Sequence, residues 1–200
     1  MSQIVPLAEP YDRFAELFAA AKAVGPGRLP EPTAFALATV DADGTPSVRM
    51  LLLKAYDHHG FVFYTNFESR KGRALLATRR AAMCFHWQPL EVQVRVEGAV
   101  VQVTDAEADV YFASRPRGSQ IGAWASEQSR PMADPGDLAA RVAQFERRYE
   151  GRSVPRPPWW SGVRLEPRVI EHWKGMPSRL HVRDVYTREG DGWRVERWYP

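Results

Sequence analysis

Residues 34–54 read AFALATVDADGTPSVRMLLLK, and this stretch decides the fold that we predict. Two mostly apolar runs, Ala34–Val40 and Pro46–Lys54, flank the acidic, glycine-containing segment Asp41–Gly44. Runs of this length and composition favour β-strands, and a short segment rich in Asp and Gly between them is typical of a tight turn. Strands that a tight turn connects pair antiparallel, so the stretch predicts a β-hairpin within an antiparallel sheet.

The sequence on either side extends this hairpin into a larger sheet with helices around it. Short apolar or alternating runs predict further strands at Phe61–Thr65, Ala81–Trp87, Glu91–Val103, Val163–Trp173, Val182–Arg188 and Trp193–Trp198. Helical periodicity or acidic first turns predict helices at residues 11–23, Ser69–Ala77, Asp105–Ser114 and Asp137–Tyr149. Between the last two helices, residues 115–130 are expected to form only short polar and small segments.

The order of these elements decides the fold class. A doubly wound parallel sheet needs strands that alternate with crossover helices, whereas this sequence groups its strands and its helices. We therefore predict an α+β fold in which an antiparallel sheet closes, or nearly closes, into a barrel with helices around it. A chain of 200 residues suits a single domain, and we expect residues 1–32 to form its N-terminal helix and linker.

Composition excludes several classes of protein. Hydrophobic residues make up 44% and charged residues 26% of the chain, which is typical of globular domains and excludes disorder and collagen. The chain has no run of about 18 apolar residues and no signal-peptide pattern at its start, so we expect no membrane span. The single cysteine, Cys84, has no partner for an internal disulfide, which favours a reducing compartment. We therefore expect a cytoplasmic protein.

Net charge and motifs narrow the kind of ligand. The formal net charge is +3, and the last third of the chain is basic, with its arginines interleaved with acids, prolines and tryptophans. Scattered arginines of this kind suit a small anion. The positive net charge is the one feature that would favour nucleic-acid binding, so we expect no nucleic-acid partner. Phosphate-loop, dinucleotide-binding and nucleophile-elbow motifs are absent from the sequence. The histidines have no metal-ligand spacing, so we expect no metal.

Several groups of cationic residues are candidates for binding an anion. Arg70 and Lys71 follow Ser69 at a predicted helix start, where free backbone N–H groups and the helix dipole already favour an anion. Arg49 and Lys54 lie at the two ends of one predicted segment. The chain has 23 Arg but only 4 Lys, so a lysine at these positions indicates a need for a compact ammonium group.

A further group, Arg179, His181 and Arg183, is expected on one face of a strand, since alternate residues of a strand share a face. Three cationic or titratable groups on one face are costly unless a ligand or an anion lies opposite them. For any single arginine, a surface salt bridge is the simpler explanation. Taken together, the groups predict one phosphate-bearing ligand, or two of them.

The residues in these groups also carry a family resemblance. The chain closely resembles the pyridoxine/pyridoxamine 5′-phosphate oxidases, FMN enzymes that make pyridoxal 5′-phosphate, from about residue 8 to residue 200. The matching stretches are Leu37–Val40, Arg49–Lys54, Gly60–Asn66, Ser69–Gly72, Gln93–Arg95, Tyr111–Pro116, Ser119–Ser126, Gln128–Ser129, Arg179–His181 and Arg183. Ser119–Ser129 and Arg179–Arg183 are the most specific, because a simpler flavin-binding split barrel would need neither.

This resemblance implies a six-stranded FMN-binding split barrel that works as a homodimer, with FMN at the subunit interface. Transferred residue by residue, it implies an FMN site made of Arg49, Met50, Leu51, Lys54, Tyr64, Thr65, Arg70, Lys71, Gln93, Gln128, Ser129, Trp173 and Arg183. It also implies a substrate site made of Lys54, Tyr111, Arg115, Ser119, Arg179 and His181, with the first four at the substrate phosphate. The strands of residues 163–200 would complete the active site.

The implied reaction is the oxidation of pyridoxamine or pyridoxine 5′-phosphate to pyridoxal 5′-phosphate, with O2 reduced to H2O2. In this reaction a hydride passes from the substrate C4′ carbon to flavin N5, so the cofactor supplies the redox chemistry. Arg179 and His181 are the expected catalytic residues, which hold the substrate ring against the flavin and help to manage the departing proton.

The sequence departs from the family pattern in four places. Family members often begin with a longer arm that covers the substrate, and this sequence lacks it. The family has Arg at the position of Val92 and Asp at the position of Val182. It has Phe at the position of His172 and Gln at the position of Lys174. These departures leave two alternatives: a flavin oxidase of another amine or of a phenazine-type intermediate, and a non-enzymatic flavin- or pyridoxal-phosphate-binding module. The intact phosphate-binding set argues against the first alternative, and the intact catalytic pair argues against the second.

Overall fold

The computed structural model describes residues 3–200. Its helices are α1 (Glu9–Ala23), α2 (Arg70–Thr78), α3 (Asp105–Ser114), α4 (Arg117–Ala125) and α5 (Asp137–Arg148). Its strands are β1 (Gln3–Pro6), β2 (Ala34–Val40), β3 (Pro46–Leu52), β4 (Ala55–Asp57), β5 (Gly60–Asn66), β6 (Arg80–Trp87), β7 (Val92–Gln102), β8 (Trp160–Lys174), β9 (Val182–Glu189) and β10 (Gly192–Trp198). The hairpin predicted from residues 34–54 is therefore confirmed as β2 and β3, and β3 ends at Leu52 rather than at Lys54.

Within residues 3–200, ten strands form one antiparallel sheet in the order β1-β10-β9-β8-β7-β6-β2-β3, and β5 pairs with both β4 and β8. The predicted α+β class is confirmed, and the sheet is larger than the six strands that the resemblance implies. The long strand β8 organises the sheet, since it pairs with β5 through its first half, with β9 through its second half and with β7 along most of its length.

The main core lies between the sheet and the apolar face of α1. The helix predicted at residues 11–23 is confirmed as α1, and its Phe14, Phe18 and Ala21 are buried. The Phe14 ring meets the rings of Phe61 and Phe85 with centroids 4.9 and 5.2 Å apart, at steep angles. Edge-to-face aromatic contacts of this kind stabilise a core beyond the area that they bury. The sheet is thus a rigid platform for the residues at its ends.

Helices α3, α4 and α5 build a second, smaller apolar cluster over the start of β8, around Phe112, Ile121 and Trp160. The expectation of only short segments in residues 115–130 is wrong, because α4 lies there. Few apolar residues mark this helix in the sequence. It is held instead by Ile121 in the cluster and by the Gln120 side-chain amide, which donates to the carbonyls of Phe112 and Ala113 at 3.0 and 3.1 Å.

Two short strands, β1 and β4, are absent from the sequence-based prediction. Both are too short for an alternating pattern to stand out, and each is fixed by its pairing, β1 with β10 and β4 with β5. Among the helices of residues 3–200, none combines the length and the apolar character that crossing a bilayer requires.

Candidate active site

A cavity of about 770 Å³ lies between the ends of β3 and β5, the start of α2, and the corner between α3 and α4. Many of the residues expected at the FMN and substrate sites line it, namely Met50, Leu51, Lys54, Tyr64, Thr65, Lys71, Tyr111, Arg115, Ser119 and Gln128. Arg49, Arg70 and Ser129 are chain neighbours of these lining residues. The structure therefore brings together, around one cavity, sequence segments that are far apart in the chain.

The start of α2 gives this cavity a buried ammonium group. The Ser69 side chain caps the helix by accepting a hydrogen bond from the backbone N–H of Gly72 at 3.2 Å. Lys71 is only 9% exposed, and its Nζ donates to Gln128 Oε1 at 2.8 Å and to Ser69 Oγ at 3.3 Å. Burial and the nearby Arg49 charge lower the pKa of Lys71 to about 8. An anion beside it would relieve both effects.

Arg49 and Arg70 lie near this ammonium group but differ in how their charges are balanced. The Arg49 guanidinium donates to Leu37 O at 3.1 Å and to Thr39 Oγ1 at 2.8 Å, and burial together with the Arg70 charge lowers its pKa. Arg70 is paired with Asp41 at 2.8 Å. Of these three cations, Arg49 and Lys71 therefore bond only to neutral oxygen atoms among the described residues, as a site for an anion requires.

The close approach of α2 to the preceding loop requires glycine at position 72. A Cβ atom there would lie 2.4 Å from Asn66 O and 2.4 Å from the Phe67 Cα atom. Gly72→Ala is therefore expected to shift the start of α2 and to lower the free energy of unfolding by about 2 kcal/mol. Chemical denaturation measures this loss. The matched control is Gly118→Ala in α4, where nothing lies within 4 Å of the added atom, and an equal effect of both changes would contradict the account.

The cavity is also lined by a second partly buried cation, Arg115, at the C-terminal end of α3. Its guanidinium carbon lies 4.7 Å from the centroid of the Trp160 ring, and burial lowers its pKa. Arg115 Nη1 and Thr65 Oγ1 are buried and have no hydrogen-bond partner among the described residues. Buried polar atoms are normally paired, so two such atoms in residues that line one cavity indicate a polar ligand.

Four of the remaining predicted site residues, Gln93, Trp173, His181 and Arg183, form a separate group on the sheet and at the start of β9, which we call the sheet group. Gln93, Trp173 and Arg183 are register partners on β7, β8 and β9, so they form a row across three strands. The rings of Trp173 and His181 lie 4.6 Å apart, and the backbone N–H of Met176 donates to His181 Nδ1 at 3.1 Å. None of the sheet group lines the cavity of the same chain, within the residues that the structure describes.

The prediction that Arg179, His181 and Arg183 share one face of a regular strand is wrong. Arg179 lies in a short 3-10 turn, Pro177–Arg179, and β9 begins only at Val182. Ser178 and Arg179 have φ values of 56° and 61°, in the left-handed region that strands do not use. These residues lie outside the sheet, because β8 ends at Lys174 and β9 has not yet begun, and Pro177 could not donate to a ladder.

Sequence reasoning also missed Glu171, which neutralises Arg183. Glu171 is 4% exposed, and it accepts hydrogen bonds from Arg183 Nε at 2.8 Å and Arg183 Nη2 at 3.0 Å. Arg95 also donates to it. Burial would raise the pKa of Glu171, but the hydrogen bonds from the two arginines outweigh it and hold the pKa below its usual range. Glu171 lies two residues before Trp173 and therefore shares its face of β8, and this spacing is the signal that could have revealed it.

Two of the departures from the family pattern face each other in the structure. Lys174 on β8 and Val182 on β9 are register partners, and Lys174 Nζ donates to Leu90 O at 2.7 Å. The Lys174 ammonium group is therefore engaged by a carbonyl beside the sheet group.

In the part of the chain from residue 3 onward, no three His, Cys, Asp or Glu side chains are arranged to hold a metal ion.

Comparisons with known proteins agree with the resemblance that the motifs carry. Residues 27–149 match the family model "Pyridoxamine 5'-phosphate oxidase", and residues 160–200 match "Pyridoxine 5'-phosphate oxidase C-terminal dimerisation region". A pyridoxine/pyridoxamine 5'-phosphate oxidase of Myxococcus xanthus strain DK1622 is 58% identical over 192 residues, covering 96% of this chain and 92% of the relative. One of Brucella canis is 55% identical over 196 residues, covering 96% and 95%.

Solved structures give the same picture. PhzG from Burkholderia lata 383, in complex with tetrahydrophenazine-1-carboxylic acid, has a TM-score of 0.88 at 33% identity and covers 96% of this chain and 92% of that one. An FMN-binding protein of Nostoc punctiforme related to pyridoxamine 5'-phosphate oxidase has a TM-score of 0.72 at 16% identity, covering 94% and 96%, and supports the fold alone. On these matches, the chain belongs to the pyridoxine/pyridoxamine 5′-phosphate oxidase family.

Proposed function

We propose that this protein oxidises pyridoxamine 5′-phosphate and pyridoxine 5′-phosphate to pyridoxal 5′-phosphate with FMN as cofactor, and that O2 is reduced to H2O2. The observation that carries the proposal is one cavity that three cationic side chains, Lys54, Lys71 and Arg115, line together, with Arg49 close to Lys71. The reaction needs two phosphate sites side by side, one for the flavin and one for the substrate. Membership of the family supports the same assignment.

The residues present fit FMN and a phosphorylated substrate. Thr65 Oγ1 and Arg115 Nη1 are buried polar atoms that lack a partner, and Lys71 has no carboxylate partner among the described residues. On this proposal the residues that hold FMN are Arg49, Met50, Leu51, Lys54, Tyr64, Thr65, Arg70, Lys71, Gln128 and Ser129, together with Gln93, Trp173 and Arg183 of the sheet group. When bound, FMN supplies hydride acceptance and the reduction of O2.

The chain's own residues bind the substrate, orient it and manage its proton. Lys54 and Arg115 hold the phosphate by charge, and Tyr111 and Ser119 offer hydroxyl groups to it. Arg179 and His181 position the substrate ring and take part in moving the proton that leaves the oxidised carbon. Binding energy from the remote phosphate thereby fixes the reacting carbon in place.

We further propose that the active protein is a homodimer with FMN at the interface. The cavity and the sheet group are separate within one chain, and residues 160–200 match a dimerisation region. Exposed apolar side chains on the edge strand β3, Val48 at 68% and Met50 at 63%, would be covered in such a dimer. The sheet group of one subunit then completes the cavity of its partner.

This dimer predicts that flavin binding depends on protein concentration. Dilution through the dimer dissociation range is expected to release FMN in parallel with dissociation, because monomers lack the flavin contacts that the partner's sheet group supplies. Sedimentation velocity, followed together with flavin fluorescence, measures both events. A monomer that retains FMN would contradict the interface site.

We also propose that six strands of the sheet close into the split barrel of the family. The sheet runs from β3 through β2, β6, β7 and β8 to β5, and β5 pairs with β4, which continues the chain from β3. The backbone N–H of Lys54 donates to Val62 O at 2.9 Å and so joins the end of β3 to β5. Counted with its continuation β4, β3 is the sixth strand of this ring.

Aerobic incubation with pyridoxamine 5′-phosphate tests the function directly. Pyridoxal 5′-phosphate and H2O2 are expected in equal amounts, and their absence with FMN-loaded protein would favour a non-enzymatic binding module. A second candidate, oxidation of a phenazine-type intermediate, is favoured by the close structural likeness to PhzG. Incubation with a dihydro- or tetrahydrophenazine carboxylic acid in place of the phosphate ester distinguishes the two reactions.

A variant of Arg115 tests whether the protein recognises the substrate by its phosphate group. Arg115→Ala is expected to raise KM for pyridoxamine 5′-phosphate roughly 20-fold with a smaller loss of kcat, because it removes a charged contact remote from the reacting carbon. Steady-state kinetics measures the change. Arg147→Ala, on the exposed face of α5, is the matched control. A normal KM in the Arg115 variant would place the phosphate elsewhere.

A further inference from the structure

Trp160, the first residue of β8, lines the cavity and was singled out neither by the motifs nor by the charge pattern. Its ring is nearly parallel to those of Tyr64 and Tyr111, with interplanar angles of 10° and 4° and centroids 5.4 and 6.1 Å away. The Tyr64 and Tyr111 rings lie 3.9 Å apart. Three nearly parallel aromatic rings thus lie together at the end of the cavity that holds Arg115.

The contact with Trp160 stabilises the Arg115 charge, which no acidic side chain balances. The Arg115 guanidinium is partly buried and has no carboxylate partner among the described residues, and its Nη1 atom lacks any partner. An indole face attracts a guanidinium without using its N–H groups. A carboxylate in the same place would neutralise the charge and compete with an incoming anion. The indole therefore holds Arg115 without occupying its N–H donors.

The Trp160 ring is itself held firmly. Phe112 packs edge-on against it with centroids 5.1 Å apart. The Trp160 backbone N–H donates to Pro157 O at 3.0 Å, and its carbonyl accepts from Arg156 Nη1 at 2.8 Å. A support that cannot rotate keeps the Arg115 fork in one orientation, which a tetrahedral phosphate group requires.

We propose that Trp160 is a positioning residue for phosphate recognition, which acts by holding Arg115 through a cation–π contact. The inference rests on the proposed function, since it assigns the Arg115 end of the cavity to the substrate phosphate. Trp160 then raises affinity for phosphorylated ligands and contributes little to affinity for the ring.

The test compares two inert ligands that differ only in the phosphate, 4-deoxypyridoxine 5′-phosphate and 4-deoxypyridoxine, on the FMN-loaded protein. Trp160→Leu is expected to raise Kd for the phosphorylated ligand about tenfold, which corresponds to about 1.4 kcal/mol. Kd for the other ligand should change by less than about twofold. Trp160→Phe, which keeps a weaker aromatic face, should fall between wild type and Trp160→Leu. Calorimetric titration measures each value.

The neighbouring residue Trp159 supplies the control. It packs edge-on against Trp124, with centroids 5.2 Å apart, and does not line the cavity. Trp159→Leu should therefore leave the difference between the two ligands unchanged. An equal loss for both ligands in both Trp160 variants would overturn the proposal, because Trp160 would then act only on cavity shape.

Failure of the proposed function and failure of the proposed role of Trp160 give different results in this experiment. If the wild-type protein neither prefers the phosphorylated ligand nor oxidises pyridoxamine 5′-phosphate, the proposed function fails, and the inference fails with it. If the wild-type protein does both and the Trp160 variants keep its preference, only the role of Trp160 is overturned. Should Trp160→Leu lose FMN or unfold, Trp160→Phe decides the question by the same ratio of Kd values.

Discussion

Lys71→Met is expected to raise the dissociation constant of FMN about 100-fold and, at the same time, to stabilise the flavin-free protein. The ammonium group is buried and bonds only to Gln128 and Ser69, so its charge is balanced only when an anion binds. Methionine fills a similar volume without the charge, which removes both the contact and its burial cost.

Fluorescence titration with FMN and thermal unfolding of the apoprotein measure the two opposite effects. The exposed Lys22→Met on α1 serves as the control for loss of a lysine charge. Unchanged FMN affinity in the Lys71 variant would remove Lys71 from the flavin site. Lower stability of its apoprotein would show that the ammonium group is balanced by the protein itself.

The same residue predicts a pH dependence of flavin binding. Burial and the Arg49 charge lower the pKa of Lys71 to about 8, and a phosphate dianion beside it would raise that pKa. Below pH 8 the lysine is charged in both states and takes up no proton on binding. Above pH 8 binding requires proton uptake, so Kd should rise by up to about tenfold per pH unit. Lys71→Met should abolish this rise.

Glu171→Gln should lower the free energy of unfolding by about 3 kcal/mol and weaken FMN binding. The change removes the negative charge that two guanidinium groups share and replaces one of the two acceptor oxygens by an amide NH2, so Arg183 loses at least one of its two hydrogen bonds to that side chain. Arg183 would keep its donation to Tyr199 O at 3.0 Å and its place over the Trp198 ring. Chemical denaturation and FMN titration measure the two losses.

Acid unfolding provides an independent check of Glu171. Because its pKa is lowered in the folded protein, its contribution to stability is present above the usual glutamate range and is lost as pH falls through the lowered pKa. Glu171→Gln should therefore have a flatter stability curve in acid. Glu166→Gln, an exposed position on the same strand, is the control, and identical curves for the two variants would contradict the buried ion pair.

The sequence predicts best where a local pattern and the final fold agree. The hairpin of residues 34–54 is found as predicted because apolar runs and a tight turn act locally. The comparisons confirm the family that the motifs predict, and with it the enzyme class and the FMN cofactor. Helix α4 was missed because its burial depends on the Gln120 amide and on a few side chains supplied by distant elements.

Within the candidate site, the missed features are those that arise from tertiary contact. Glu171 and Trp160 belong to no motif, and their roles appear only when Arg183 and Arg115 are placed against them. The sequence predicts Arg179 on a strand because no local pattern indicates the left-handed turn that follows Pro177. The division of the predicted residues between the cavity and the sheet group is likewise a property of the folded chain, since both sets look alike in the sequence.

The length of β8 restricts how this protein can evolve. The strand begins with Trp160 beside the cavity and ends with Trp173 and Lys174 at the sheet group, so in the proposed dimer each copy of the strand serves two active sites. Unless a β-bulge absorbs the change, inserting or deleting one residue within it would move every later side chain to the opposite face of the sheet. Insertions and deletions that preserve activity are therefore expected in turns such as Asp41–Gly44 rather than in β8. The length of β8 sets the distance between the two catalytic centres that it serves.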